Sequence, residues 1–264
     1  MNRVGAENLV RISSRILSLT AHVAVGACLG LMLITVRVIV PEAASRLGSR
    51  LTRRWLRMLG RILGVLVFAY GEPSTTPALY VANHISWLDI VVLADVVAAD
   101  FVAKQEVRGW PLVGWLAHVG GTLFVRRADF GAARRMQEHM AQRLAAGRNL
   151  MLFPEGTTTV GDVPNPFKPR LFQAAIRAGA VVQPVAISYQ GSSEFRKCVA
   201  FVGEQSLLQN LWFLLGIRSL SVTIRLMPPL VCQSASTRML AITAWESVRQ
   251  GLETAGQAIS AQAA

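Results

Sequence analysis

Past Gly64 the chain alternates short apolar runs with longer stretches of helical periodicity, and this alternation constrains its fold more than any other feature. The runs at 65–70, 78–82, 101–104, 122–125, 150–153, 181–188 and 221–226 have the length and apolar density of strands. Helix candidates stand between several of them at 87–98, 128–146 and 168–178, with another at 238–252. Strands that return in the same direction need crossovers of this kind, so the order implies an α/β fold, a mainly parallel sheet flanked by helices. Ligands of such sheets gather at the carboxyl ends of the strands. Internal repeats, low-complexity tracts and a second-domain linker are all missing from the sequence.

The N-terminal quarter reads differently. Between Arg15 and Arg37 lie 21 residues without Asp, Glu, Lys or Arg, and His22 is their one ionisable side chain. About 20 helical residues cross a hydrocarbon layer of about 30 Å. Val38, Ile39, Val40 and Pro41 follow in place of a small-residue cleavage site, which points to a retained membrane anchor, spanning or re-entrant. Arg37, Arg46, Arg50, Arg53, Arg54, Arg57 and Arg61 come next with only Glu42 opposing, against Arg3, Arg11 and Arg15 upstream. That bias keeps the downstream side cytoplasmic. Arg50, Arg53, Arg54, Arg57 and Arg61 also face away from Leu51, Trp55, Met58, Leu59 and Ile62. A helix so divided can lie among lipid headgroups or pack on a protein core. The expected organisation is an anchor and basic helix over 1–62, a catalytic domain over 63–254 and a loose tail over 255–264.

Composition agrees with a membrane setting. With 52% hydrophobic and 16% charged residues the chain is too apolar for disorder, and its mean hydropathy of +0.41 strains a purely soluble reading. Lys and Arg outnumber Asp and Glu by 27 to 15, a net charge of +12 that suits an anionic surface. Zinc-finger spacing, basic-zipper heptads and RNA-recognition motifs are all missing, so nucleic acid is not an expected partner. Cys28, Cys198 and Cys232 are odd in number and far apart, which argues against a disulfide framework and a zinc site. Cys28, inside the apolar run, reads as a small buried hydrophobe.

Chemistry concentrates where three strands end. Asn83-His84-Ile85-Ser86-Trp87-Leu88-Asp89 follows the second run. Five steps of a continuous helix would set His84 and Asp89 roughly 140° apart, so they can meet only across a turn. With His84 in the loop and Asp89 in the first helical turn, the carboxylate can accept one imidazole N–H and leave the other nitrogen free as a base for an alcohol. The bland alternative is an Asp that favours a helix N-terminus beside a His that satisfies a turn. Phe153-Pro154-Glu155-Gly156-Thr157 ends another strand, where Gly permits a turn and Glu155 can accept hydrogen bonds from a polyol. Gly121-Thr122-Leu123-Phe124-Val125-Arg126 ends a third with a cation.

With these blocks the sequence resembles the glycerolipid acyltransferase family that contains 1-acylglycerol-3-phosphate acyltransferase. The NHxxxxD block at 83–89, a GxxFxxR-like block at 121–127, FPEGT at 153–157 and Val182-Gln183-Pro184-Val185-Ala186 occur in the family's order. Lys104-Gln105-Glu106 and Pro111-Leu112-Val113-Gly114-Trp115 also look like the family's stretch before the second block. The resemblance implies an O-acyltransferase in which His84 is the general base and Asp89 its orienting partner. It also implies that Asn83, Lys104, Arg126, Glu155, Gly156 and Thr157 bind substrate. The implied reaction moves a fatty acyl group from acyl carrier protein or CoA to the free hydroxyl of 1-acyl-sn-glycerol-3-phosphate, giving phosphatidic acid, with no metal and no cofactor beyond the acyl thioester. The implied partners are the thioester carrier, a lysophospholipid and membrane lipids, and the implied location is a bacterial inner membrane.

The departures matter for the acceptor. Many family members carry Arg directly after EGT, whereas this chain has Thr158, and Arg170-Leu171 follow Pro166-Phe167-Lys168 where a Gly is more usual. The GTT variant also resembles lyso-ornithine-lipid acyltransferases, whose acceptor lacks a phosphate. Arg126, Arg127, Lys168 and Arg170 could still neutralise a phosphate, which tips the expectation toward lysophosphatidate. A noncatalytic membrane-remodelling protein and an acyl hydrolase are the competing classes. The absence of GxSxG weakens the second.

Overall fold

A computed structural model of the chain describes residues 3–125, 130–233 and 235–262. Seven strands form one sheet in the order β1-β7-β6-β2-β5-β3-β4. They are β1 (Val65–Tyr70), β2 (Ala78–Ala82), β3 (Asp100–Lys104), β4 (Leu123–Val125), β5 (Leu150–Leu152), β6 (Val181–Tyr189) and β7 (Leu220–Leu226). All neighbours pair parallel except β6 and β7, so the sheet is mainly parallel with one reversed pair at its edge. The five strands from β6 to β4 therefore deliver their carboxyl ends to a single edge. Pro184 is tolerated inside β6 because the β7 ladder starts at Val185, so no ladder bond needs its missing N–H.

Two-sided burial explains why β2 is apolar at every position. Ala78, Tyr80 and Ala82 point into one core with Val91 and Leu93 of α3 (Leu88–Val96), whereas Leu79 and Val81 point into another. The first core is covered by α2 (Pro41–Ile62), α3, α7 (Ser193–Val199) and α8 (Leu207–Gly216). The second is covered by α5 (Phe130–Ala145), α6 (Gln173–Ala178) and α9 (Thr237–Gln262). A 3₁₀ turn (Gln105–Gly109) and α4 (Val113–Val119) link β3 to β4.

The remaining helix, α1 (Arg3–Ile39), lies outside the first layer. Its segment Glu7–Ile39 is the one helix among the described residues long and apolar enough to cross a membrane. Arg15 donates to the carbonyls of Leu215 in the last turn of α8 at 3.1 Å and of Arg218 beyond it at 3.0 Å, and Arg11 to Gly216 at 3.1 Å. Farther along, His22 stacks on Trp55 of α2 with ring centroids 4.5 Å apart, and Gly26 and Gly30 let Trp55 and Trp115 approach the helix backbone.

Three expectations change. Most of the apolar stripe of α2 packs inward, as the core-packing alternative has it, with Leu59 buried beside Leu63 across the expected boundary at 62 while Met58 stays exposed. Arg53 donates at 2.9 Å to the carbonyl of Ala94, and Arg57 pairs with Asp95, so part of the cationic face caps the C-terminus of α3. Helix α9 continues to Gln262 where a tail was expected from 255, because Ala255 is still buried and no proline stops the helix. Cys28 is exposed on α1, since the partner of that helix covers its opposite side.

Candidate active site

The site begins where β2 leaves the sheet. Asp89 lies in the first turn of α3, and its own N–H donates to the carbonyl of Ser86 at 3.0 Å, which closes the turn that the five-residue spacing requires. His84 Nδ1 and Asp89 Oδ2 are 2.7 Å apart. The same Oδ2 accepts the backbone N–H of Ile85 at 2.7 Å and of Ser86 at 3.0 Å. The carboxylate is fully buried, whereas the imidazole keeps 19% of its surface exposed. Buried and held by backbone donors at a helix N-terminus, Asp89 is positioned to act as an anion. Among the described residues none bonds His84 Nε2, which leaves that nitrogen available to a substrate proton.

The imidazole plane is set from a second strand. The ring of Phe153, just past β5, stacks on His84 with centroids 4.0 Å apart and planes 15° off parallel. Gly156 has φ +75°, so the turn after FPE needs a residue without a Cβ. Glu155 accepts the N–H of His84 at 2.7 Å on one oxygen and the N–H of Asn165 at 2.7 Å on the other. Burial pushes its carboxyl above the usual range, and those two N–H groups pull it back. A third strand contributes Tyr189 at the end of β6, whose hydroxyl donates to Asp89 Oδ1 at 2.8 Å.

Not every residue expected at the site faces a ligand. Asn83 is fully buried, and its amide donates to the carbonyl of Ile187 at 2.9 Å and accepts the N–H of Ile187 at 2.8 Å. With both amide atoms spent on β6, Asn83 clamps the end of β2 to its neighbour and presents no amide atom to the cleft. Glu155 is corrected likewise: at 2% exposure, with both oxygens engaged, it braces the loop and has no acceptor oxygen turned to a polyol. Thr157 is exposed beside the turn. Thr158 donates to the carbonyl of Phe201, and the N–H of Thr159 bonds the carbonyl of His84 at 2.8 Å. Lys104, half-buried, ends β3 at the same sheet edge, but β5 separates that strand from β2. Arg126 and Arg127 lie outside the described residues. No group of His, Cys, Asp and Glu that could hold a metal occurs among the described residues.

Tyr189, Asn165 and the stacked Phe153 were not assigned in the sequence reading. Tyr189 lies 100 residues from Asp89 in the chain, so only the adjacency of β6 and β2 brings them together. Phe153 stood in plain view within a recognised block, but nothing in the spacing says that its ring covers His84.

Comparison with known proteins decides the family. A model described as Acyltransferase matches residues 69–188, which span β2, the dyad and β6 up to the residue before Tyr189. The lyso-ornithine lipid O-acyltransferase of Pseudomonas aeruginosa is 43% identical, covering 91% of this chain and 92% of its own. The chain belongs to the Acyltransferase family. Within it, the lyso-ornithine lipid O-acyltransferase of Brucella abortus is 36% identical over 88% of this chain and 93% of its own. The 1-acyl-sn-glycerol-3-phosphate acyltransferase of Neisseria meningitidis is 32% identical over 70% of this chain and 71% of its own. A crystal structure of the 1-acyl-sn-glycerophosphate acyltransferase of Thermotoga maritima shares the fold, with TM-score 0.69 at 21% identity over 96% of this chain and 98% of that one.

Proposed function

We propose that this acyltransferase esterifies the free hydroxyl of a lysolipid with a fatty acyl group drawn from acyl carrier protein or CoA, and that its acceptor is lyso-ornithine lipid. The observation that carries the reading is the contact of 2.7 Å between His84 and Asp89 at the strand ends. Asp89 fixes the tautomer with the proton on Nδ1, so Nε2 takes the hydroxyl proton as the acceptor oxygen attacks the thioester carbonyl. The C–S bond then breaks, and the imidazolium returns its proton to the departing thiolate. Tautomer control and a base held in place contribute about 10²- to 10⁴-fold, with substrate positioning adding to it. The preference for lyso-ornithine lipid over lysophosphatidate rests on the near full-length similarity to enzymes named for it. The neutral Thr158 and Thr159, turned onto backbone carbonyls where an Arg often follows EGT, support it. Exposed Lys168 and Arg170 are what a phosphate-bearing acceptor would use, which keeps lysophosphatidate as the second reading.

The membrane reading is refined by how α1 packs. From Arg15 to Leu33 one face of the helix contacts the protein body, over about 27 Å. Leu17, Val25, Leu31 and Val38 stay exposed on the other faces. A helix bound lengthwise to a water-facing body cannot also cross a bilayer, so α1 is read as lying within one leaflet. The excess of Arg draws that surface to an anionic cytoplasmic leaflet, which in a bacterium is that of the inner membrane. The deciding assay offers purified protein both lysolipids, each with acyl-carrier-protein and CoA thioesters, and identifies products by mass spectrometry. Acylated ornithine lipid as the main product is the expected result. Phosphatidic acid as the main product would transfer the assignment to lysophosphatidate, and thioester cleavage independent of either would mark a hydrolase.

A further inference from the structure

Asp89 is held by more than the groups that a histidine–carboxylate pair requires. Oδ2 takes His84 and two backbone N–H groups, while Oδ1 takes a single side-chain donor, the hydroxyl of Tyr189. Tyr189 is 2% exposed, and its ring belongs to the core shared by α2, α3 and α8. Two residues earlier on the same strand, Ile187 is gripped through its backbone by Asn83. The strand is thus registered against the His84 loop at Ile187, and it presents a phenol to the carboxylate two residues later.

We propose that Tyr189 is a positioning residue of the acyl-transfer reaction: its hydroxyl holds the outer oxygen of Asp89 and sets how strongly that carboxylate binds His84. A hydroxyl donor on Oδ1 draws charge away from the oxygen that faces the imidazole. The imidazolium formed during proton removal is then stabilised less than it would be by a bare carboxylate. A carboxylate fixed at both oxygens also cannot rotate, so the free imidazole nitrogen keeps one direction. Among the described residues, the ionisable groups that face the pair are Glu155, on the loop after β5, and Tyr189 itself. Desolvation, with Asp89 beside it, raises the phenol well above its ordinary range, so it stays a donor throughout the pH range of an assay.

This inference rests on the reading of His84 as the general base, and the test separates the two. Wild type, Tyr189→Phe and His84→Ala are compared for kcat, KM and the pH dependence of kcat/KM with lyso-ornithine lipid and lysophosphatidate. The imidazole of His84 is followed independently by NMR titration without substrate. Tyr189→Phe is expected to lower kcat about tenfold with KM nearly unchanged, because losing the fixed direction of the carboxylate and imidazole outweighs the stronger base that a bare carboxylate leaves. It should move the acid limb and the imidazole titration upward by about half a pH unit. Incorporation of 3-fluorotyrosine at 189, a stronger donor of nearly the same shape, should move both downward and tests the idea even where the Phe variant folds poorly. A lower melting temperature with an unmoved imidazole titration would make Tyr189 a core residue only and overturn the proposal. Full transfer by His84→Ala would instead overturn the underlying assignment of the base.

Discussion

Glu155 shows how a single residue can be recognised and still be misjudged. In sequence it is the acid of FPEGT and a natural candidate for substrate; in the fold it joins the His84 turn to the Asn165 loop through two backbone N–H groups. Its carboxyl is pushed above its ordinary 4.5 by burial. A carboxyl raised in the folded state binds its proton more tightly there, so its stabilising share is complete below 4.5 and is lost as pH climbs through the raised value. Glu155→Gln removes that dependence. Thermal unfolding of both proteins between about pH 4 and 7 should show the gap moving in favour of the variant as pH rises; a gap moving toward wild type would mean that the N–H bonds outweigh burial. Asn83 was misjudged for the same reason. Residue type and motif position were legible, but burial and the direction of the amide depend on β6, far away in the chain. His84 and Asp89 were legible because the turn joining them lies within a seven-residue segment.

At the scale of elements, apolar runs located all seven strands: β2 and β5 are buried at every position and read as unbroken apolar runs, while β1 is apolar even though Leu66, Phe68 and Tyr70 are exposed. The short helices α4 and α7 were missed because fewer than two turns carry too little periodicity. The orientation of α1 was the largest gap. Its composition fits lipid on every side, and only the glycines hint at close packing. At Gly26 a Cβ would fall 2.6 Å from Trp55 Nε1, the atom that donates to the carbonyl of His22 at 3.0 Å. Gly26→Ala must displace an indole already tied to the helix, at a cost of about 1–3 kcal/mol. In detergent, Gly26→Ala should melt measurably below wild type while Val25→Ala, on the exposed side, should not. Equal melting temperatures for the two variants would contradict the packing of α1 along the body.

The whole molecule brings together a sheet whose strand ends converge, an apolar helix strapped along one layer and a buried carboxylate that holds a mostly buried imidazole. The α1-side layer also supplies α3 with Asp89, so the reactive pair lies on the side of the sheet that faces the proposed membrane surface. On the proposed function, that arrangement would let an acceptor remain lipid-bound while its hydroxyl reaches His84, with no nucleophile from the protein. The most direct test is the rate of acyl transfer by His84→Ala at full ligand concentrations, with circular dichroism and melting temperature confirming the fold. The account predicts a fall of about 10²- to 10⁴-fold. A folded variant that transfers acyl groups at close to the wild-type rate would contradict it.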